Sequence, residues 1–271
     1  MKKIARFITA ITFAFSMTFV LAADNSIYID QSGDNTQVSV TQDGAGNTVR
    51  GMQGVGTGNT TPAKIYGDGN QVTVNQIGTG NTLNFGITTT AAAGVNNGNR
   101  YNYTVTGNNS TATINSNSNG QGTSASNSVT VNQIGNYSNT EITMLGIANQ
   151  ITAATSGGTY NSFVSKINGN NNTQNINMSG GGGNTANLTQ GDDAASTTNN
   201  KGSIGITSVG ASNSFTIAQT GGGTNGHSAT LDFNGSGNTV GITQQGTSAD
   251  SIVNLKSVGS TNTFTINTNT H

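Results

Sequence analysis

The sequence predicts an all-β fold: a β-solenoid of parallel stacked strand–turn–strand coils, each about 22–25 residues long. Three observations predict it. A unit of the form apolar-x-Gln-x-Gly recurs along the chain. Within the unit apolar and polar residues alternate, the period of a strand with one buried face. Gly and Asn follow each strand, where a tight turn needs positive φ. Units of this size bury their apolar face only by stacking on the next.

In chain order, the first element is an export signal. Lys2, Lys3 and Arg6 precede an apolar run from Ile8 to Leu21, and small residues at Ala22 and Ala23 follow. That order predicts a secretory signal peptide over 1–23, too short for a comfortable membrane span and with no second apolar stretch behind it. No Cys follows it, which excludes a lipid anchor on that residue. The remainder, 24–271, carries six basic and ten acidic residues, a net charge of −4. Nucleic acid is not a partner such a surface selects, since phosphates require clustered Lys and Arg. Only 7% of the chain is charged and it has no Cys, so stability must come from backbone pairing and side-chain stacking. Low charge with 39 Gly is also compatible with disorder, and periodicity decides against it.

Clear copies of the unit place Gln at 31, 42, 76, 133, 219 and 244, as in Val40-Thr-Gln42-Asp-Gly44 and Ile242-Thr-Gln244-Gln-Gly246. Weaker copies put Met178, Ser208, Phe233 or Ser257 in the Gln slot. After the Gly, one to three residues usually lead to an Asn: Asn35, Asn47, Asn81, Asn139, Asn184, Asn213, Asn238 and Asn262. The next strand then opens. The inward-facing apolar positions predicted this way are Ile27, Ile29, Val38, Val40, Val74, Leu83, Phe85, Val131, Phe215, Ile217, Val240, Ile242, Phe264 and Ile266, with Ile142 and Met144 in the same pattern.

Strand-to-strand offsets alternate near the C-terminus: 14 from Phe215 to Ala229, 11 to Val240, 13 to Val253 and 11 to Phe264. Two strands therefore make one coil. Phe163 in Asn161-Ser-Phe163 repeats the pattern of Asn213-Ser-Phe215. A disordered linker has no reason to keep aromatic residues in phase.

The amides have a physical role in such a stack. Residues in one column recur every ~4.8 Å, and a side-chain amide both donates and accepts, so a column of Gln or Asn hydrogen-bonds along the axis. A charge in the column would meet its like. The ladder residues expected are Gln31, Gln42, Gln76, Gln133, Gln219 and Gln244, with Asn35, Asn47, Asn81, Asn139, Asn213, Asn238 and Asn262.

The stretch from Ile27 through Gln31-Ser-Gly33-Asp-Asn35, Val38, Val40, Gln42 and Gly44 to Asn47 resembles the curlin repeats of curli fibre subunits and their nucleator. The resemblance is clear over 24–86, 127–150 and 201–271 and degenerate over 87–126 and 151–200. It implies export across both membranes of a Gram-negative cell and polymerisation into a cross-β amyloid fimbrium at the cell surface. It also implies a role in adhesion and biofilm formation. The implied partners are further copies of the chain, other curlin-like subunits, and outer-membrane export and chaperone machinery. The chain departs from the family in opening its first repeat at Asn25-Ser-Ile27, where curlins carry a Gly-rich leader. It is also longer than a typical curlin, and Met178 and Phe233 would interrupt an amide ladder.

Both termini read as strands, from Ile27 and Ile29 at one end to Phe264–His271 at the other, without Pro, charge cluster or amphipathic helix. Bare terminal strands template another chain, so head-to-tail stacking is expected, an open contact that makes a filament.

Other chemistry is thin. His227 and His271 are isolated, whereas a metal site needs several convergent ligands. Asp192-Asp193 lies in a turn-like Gln-Gly-Asp-Asp-Ala-Ala without neighbouring Arg, Lys or aromatic residues. Gly180–Gly183 lacks the Lys-Ser/Thr of a phosphate loop. No catalytic residue, cofactor site or metal site is expected. The function expected is a structural fibre subunit or nucleator, with a non-polymerising β-solenoid surface adhesin as the alternative. An ice-binding solenoid would need a regular outward Thr array, and Ser39, Asn84, Thr143, Thr216, Gly241 and Thr265 are too mixed.

Overall fold

Alternating apolar and polar residues, with β-branched Val, Ile and Thr enriched, favour strands over helices. The computed structural model describes residues 24–52, 61–89, 98–118, 126–191, 202–220, 226–246 and 250–270, and among them all regular structure is strand. The expected signal peptide, Asp192-Asp193 and His271 lie outside the described residues. The chain is a β-solenoid. Each coil contributes a strand to a 12-stranded sheet and the next to a 9-stranded sheet, and successive rungs pair in parallel. Phe215 pairs with Val240 and Val240 with Phe264 in one sheet, while Ala229 pairs with Val253 in the other. The alternating offsets are thus the two halves of one coil.

Coil length varies, and one edge absorbs the variation. Rung-to-rung steps are 23 residues from Asn149 to Asn172 and 24 from Asn238 to Asn262, but 29 from Asn81 to Ser110. Where the chain leaves the 9-stranded sheet for the 12-stranded one, it uses a short turn of near-constant form: a Gly, one residue, a residue at positive φ, then a polar residue that opens the next strand. Gly44-Ala-Gly46-Asn47, Gly107-Asn-Asn109-Ser110 and Gly210-Ala-Ser212-Asn213 are examples. The longer connections are mostly those that lead from the 12-stranded sheet back to the 9-stranded one.

The degenerate regions 87–126 and 151–200 do not interrupt the stack. Strands Arg100–Thr106, Thr111–Ser118, Gln150–Ser156, Ser162–Asn168, Thr173–Ser179 and Thr185–Gln190 continue both sheets. Part of the faintness is aromatic substitution. Tyr101 and Tyr103 fill inward positions that are Val72 and Val74 one rung below. Their hydroxyls donate to Ser116 Oγ at 2.7 Å and Gln133 Oε1 at 2.8 Å, so burial leaves no polar group unpaired.

Burial pushes both phenols far above their usual range. Both groups are neutral in the folded state at pH values where an unfolded tyrosine ionises, near ~10. The unfolded state then binds fewer protons, so their contribution to stability falls as pH rises above ~10. In an alkaline titration, two of the six tyrosines are expected to develop tyrosinate absorbance only together with loss of the β-sheet circular dichroism signal.

The core runs the length of the solenoid between the sheets. Val74, Leu83, Phe85, Val131, Phe215, Ile217, Val240 and Ile242 are buried as expected, as are Ile142, Met144 and Phe163. Large and small side chains alternate up a column: Phe163, Ala186 and Phe215 occupy successive rungs, which keeps the packing dense. Ile29, Val40, Phe264 and Ile266 are partly buried against this core. Two inward assignments need correction in degree. Ile27 is 48% and Val38 38% exposed. Each is in phase with a buried residue, Val49 and Val72, but sits on an outermost described rung with no further rung over it.

Candidate functional site

The groups that distinguish this solenoid are its amide columns. In the 12-stranded sheet the residue before each strand is, rung by rung, Asn25, Asn47, Asn81, Ser110, Ser138, Asn161, Asn184, Asn213, Asn238 and Asn262, as the strand registers fix. Each asparagine Oδ1 before Asn262 accepts the backbone N–H of the next rung. Asn213 N–H donates to Asn184 Oδ1 at 3.0 Å, Asn238 N–H to Asn213 Oδ1 at 3.0 Å, and Asn262 N–H to Asn238 Oδ1 at 3.1 Å. Several Nδ2 groups donate to the carbonyl of the repeat glycine, as Asn47 does to Gly78 at 2.8 Å. The column weakens at the serines: Ser138 Oγ is buried without a hydrogen-bond partner.

The 9-stranded sheet has a matching column that the sequence reading missed: Asn70, Asn99, Asn127, Asn149 and Asn172 are all buried. Asn127, Asn149 and Asn172 N–H groups donate in turn to the Oδ1 below at 2.8, 3.0 and 3.0 Å. The column continues through Gly202 to His227, which takes the place of an asparagine. His227 Nε2 lies 3.0 Å from the Thr220 carbonyl, and Nδ1 accepts the Ser251 N–H at 3.2 Å. Carbonyls only accept, so the hydrogen sits on Nε2 and Nδ1 faces the next rung as an acceptor.

Two expected ladder asparagines do not belong. Asn35 is exposed at φ 55°, the positive-φ turn position, while Thr36 holds the column place beside Asn70. Asn139 is the exposed first residue of its strand, and the buried Ser138 precedes it. Position behind the turn decides the role. The residue directly after the positive-φ turn residue enters the column, as Asn47 does after Gly46, Asn149 after Ala148 and Asn161 after Tyr160. Asn35 is itself the positive-φ residue, and Asn139 lies one place beyond Ser138.

The glutamines form short runs. Gln42 Nε2 donates to Gln76 Oε1 at 2.8 Å. On the other sheet Gln190 donates to Gln219 at 2.9 Å and Gln219 to Gln244 at 2.8 Å. Gln190 escaped the sequence pattern because Gly191 follows it directly. Gln133 meets Tyr103 and Thr140 instead of another amide. Gln31 is exposed, pairs in register with Ile65, and bonds locally to the Gly33 carbonyl. Met178 and Phe233 interrupt the column above Gln133, both fully buried. The glutamine runs are therefore short, and no single residue repeats at every rung.

Among the described residues no three of His, Cys, Asp and Glu converge, and no helix is long and apolar enough to cross a membrane. What the arrangement does chemically is pair backbone and amide groups rung on rung. No family model matches this chain, and neither a curated protein nor a solved structure is significantly similar to it.

Proposed function

We propose that this chain is a structural subunit or nucleator of an extracellular, curli-like amyloid fibre that serves adhesion and biofilm formation. One observation supports the reading above others. Strand edges, asparagine columns and inward apolar side chains all run along one axis, and the outermost described rungs present them uncovered, as the exposure of Ile27 and Val38 records. A second copy laid on such an edge would extend both sheets with the parallel pairing already used inside the chain. In this reading export uses residues 1–23 as a signal peptide, and the partners are further copies, curlin-like subunits and the envelope's export and chaperone machinery.

The test is assembly of purified protein. Thioflavin fluorescence rising after a lag, shortened by sonicated fibres, is the expected result. Protein that stays monomeric with strand-type circular dichroism at high concentration would overturn the proposal in favour of a non-polymerising solenoid adhesin. Gln244→Lys is expected to slow assembly strongly and Gln42→Lys less. The reason differs from simple alignment of like charges. Equivalent lysines on stacked copies would stand roughly 40 Å apart, nine rungs of ~4.8 Å, well beyond the ~8–10 Å screening length. Gln244 is fully buried and accepts from Gln219, so a lysine there buries a charge and strips Gln219 of its acceptor, at a cost of about 3 kcal/mol. Gln42 is only half-buried.

A further inference from the structure

The outward face of the 9-stranded sheet carries two side-by-side columns of polar residues, uncharged but for Asp232 at the end of one. One runs Thr130, Thr152, Asn175, Gly205, Thr230 and the other Asn132, Ala154, Asn177, Thr207, Asp232. Before Asp232, hydroxyls and amides fill both columns except at Ala154 and Gly205, where side chains are nearly or wholly missing. A depression of about 310 Å³ lies there. Its rim is Thr152, Asn175, Asn177, Thr207 and Thr230, and its floor includes Ile176, Ile206 and Leu231, whose side chains belong to the core.

Gly205 has no structural need to be glycine. Its φ is not positive, and a Cβ built on it meets nothing within 4 Å. Glycine inside a strand costs roughly 0.5–1 kcal/mol against alanine, so what it provides is the space.

We infer that this depression binds one sugar unit of a neutral polysaccharide. A sugar ring has apolar C–H faces and a rim of hydroxyls; the surface of the depression is mostly carbon, although the Ile176, Ile206 and Leu231 side chains themselves turn into the core, and its rim offers groups that both donate and accept. The volume is at the small end for ligand sites, ~300–1,000 Å³, and suits about one ring. The depression is open to solvent, so a polymer can enter and leave along the face, where a small apolar ligand would stay largely wet. No lining residue is ionisable, and Asp232, one rung beyond Thr207, is paired with Lys256 at 3.5 Å. Charged polymers therefore find no counter-charge. The site lies on a sheet face and leaves the rung edges free, so it operates whether or not the chain polymerises.

The test fills the depression without touching the fold. Gly205→Thr completes the threonine–asparagine array. Gly241 is an equally open glycine on the other sheet, and Gly241→Thr is the control. Binding is read by affinity electrophoresis of the purified protein through gels containing a soluble β-glucan, a galactomannan, dextran or, as the charged comparison, alginate. Wild type and Gly241→Thr are expected to be retarded by at least one neutral polymer and not by alginate. Gly205→Thr should bind that polymer about tenfold more weakly or worse, with unchanged circular dichroism and thioflavin kinetics. Retardation by none of the neutral polymers, equal retardation by alginate, or equal binding by Gly205→Thr would each overturn the inference. Thioflavin kinetics of the same samples report separately on the fibre proposal.

Discussion

Gly107→Ala is expected to destabilise the protein by about 3 kcal/mol or more, the upper range for single substitutions. Two effects add. Gly107 lies at φ 147°, a region that L-residues avoid. A Cβ there would also run into the carbonyl oxygen of Gly135 on the next rung, which is backbone and cannot swing aside. The same collision recurs up the column, from Gly44 onto Gly78 and from Gly78 onto Gly107. The repeat glycine is thus fixed twice, by its own turn and by the neighbouring coil. Urea unfolding of Gly107→Ala beside Gly205→Ala checks this. Gly205→Ala is expected to be neutral or slightly stabilising, and equal losses from both would refute the stacking argument.

Asn149→Ala is the second large effect, about 3 kcal/mol. Asn149 is 1% exposed. Its Oδ1 accepts from the Asn172 N–H at 3.0 Å and the Asn172 amide at 3.2 Å, and its Nδ2 donates to the Gly169 carbonyl at 2.8 Å. Truncation leaves these groups unpaired, and each buried unsatisfied group costs about 1–3 kcal/mol. The residue is in mid-stack, so the loss falls on one coil interface. Hydrogen exchange should show the Asn172 amide losing protection before amides of distant rungs. Asn139→Ala, at an exposed position, should change stability by no more than about 0.5 kcal/mol. A loss comparable to that of Asn149→Ala would show that burial in the column is not what makes these asparagines count.

Much of this was legible in the chain. Apolar-x-Gln-x-Gly is a strand with its stop, and its recurrence with phenylalanines in phase fixed both the two-strand coil and the inward set from Val74 to Ile242. Sequence was less informative where a role depends on distance from the turn. Asn35, Asn47 and Asn139 look alike as asparagines after a repeat glycine, yet one supplies the positive φ, one enters the column and one faces water. Tyr101 and Tyr103 hid one good rung because an inward tyrosine is tolerable only with partners for its hydroxyl, and Ser116 and Gln133 come from other strands.

By itself, then, the sequence determined the strand period, the turn chemistry, the all-β class and the near absence of charge, because these rest on neighbours within a dozen residues. Only the tertiary structure decided which rung lies on which, and so which amides meet. That Gln42 finds Gln76 while Gln133 finds a tyrosine depends on contacts between residues roughly 30 apart, across connections of unequal length. The stack also decided that repeat glycines such as Gly44, Gly78 and Gly107 are indispensable and that Gly205 leaves a hollow, since a missing side chain has meaning only beside the atoms that surround it.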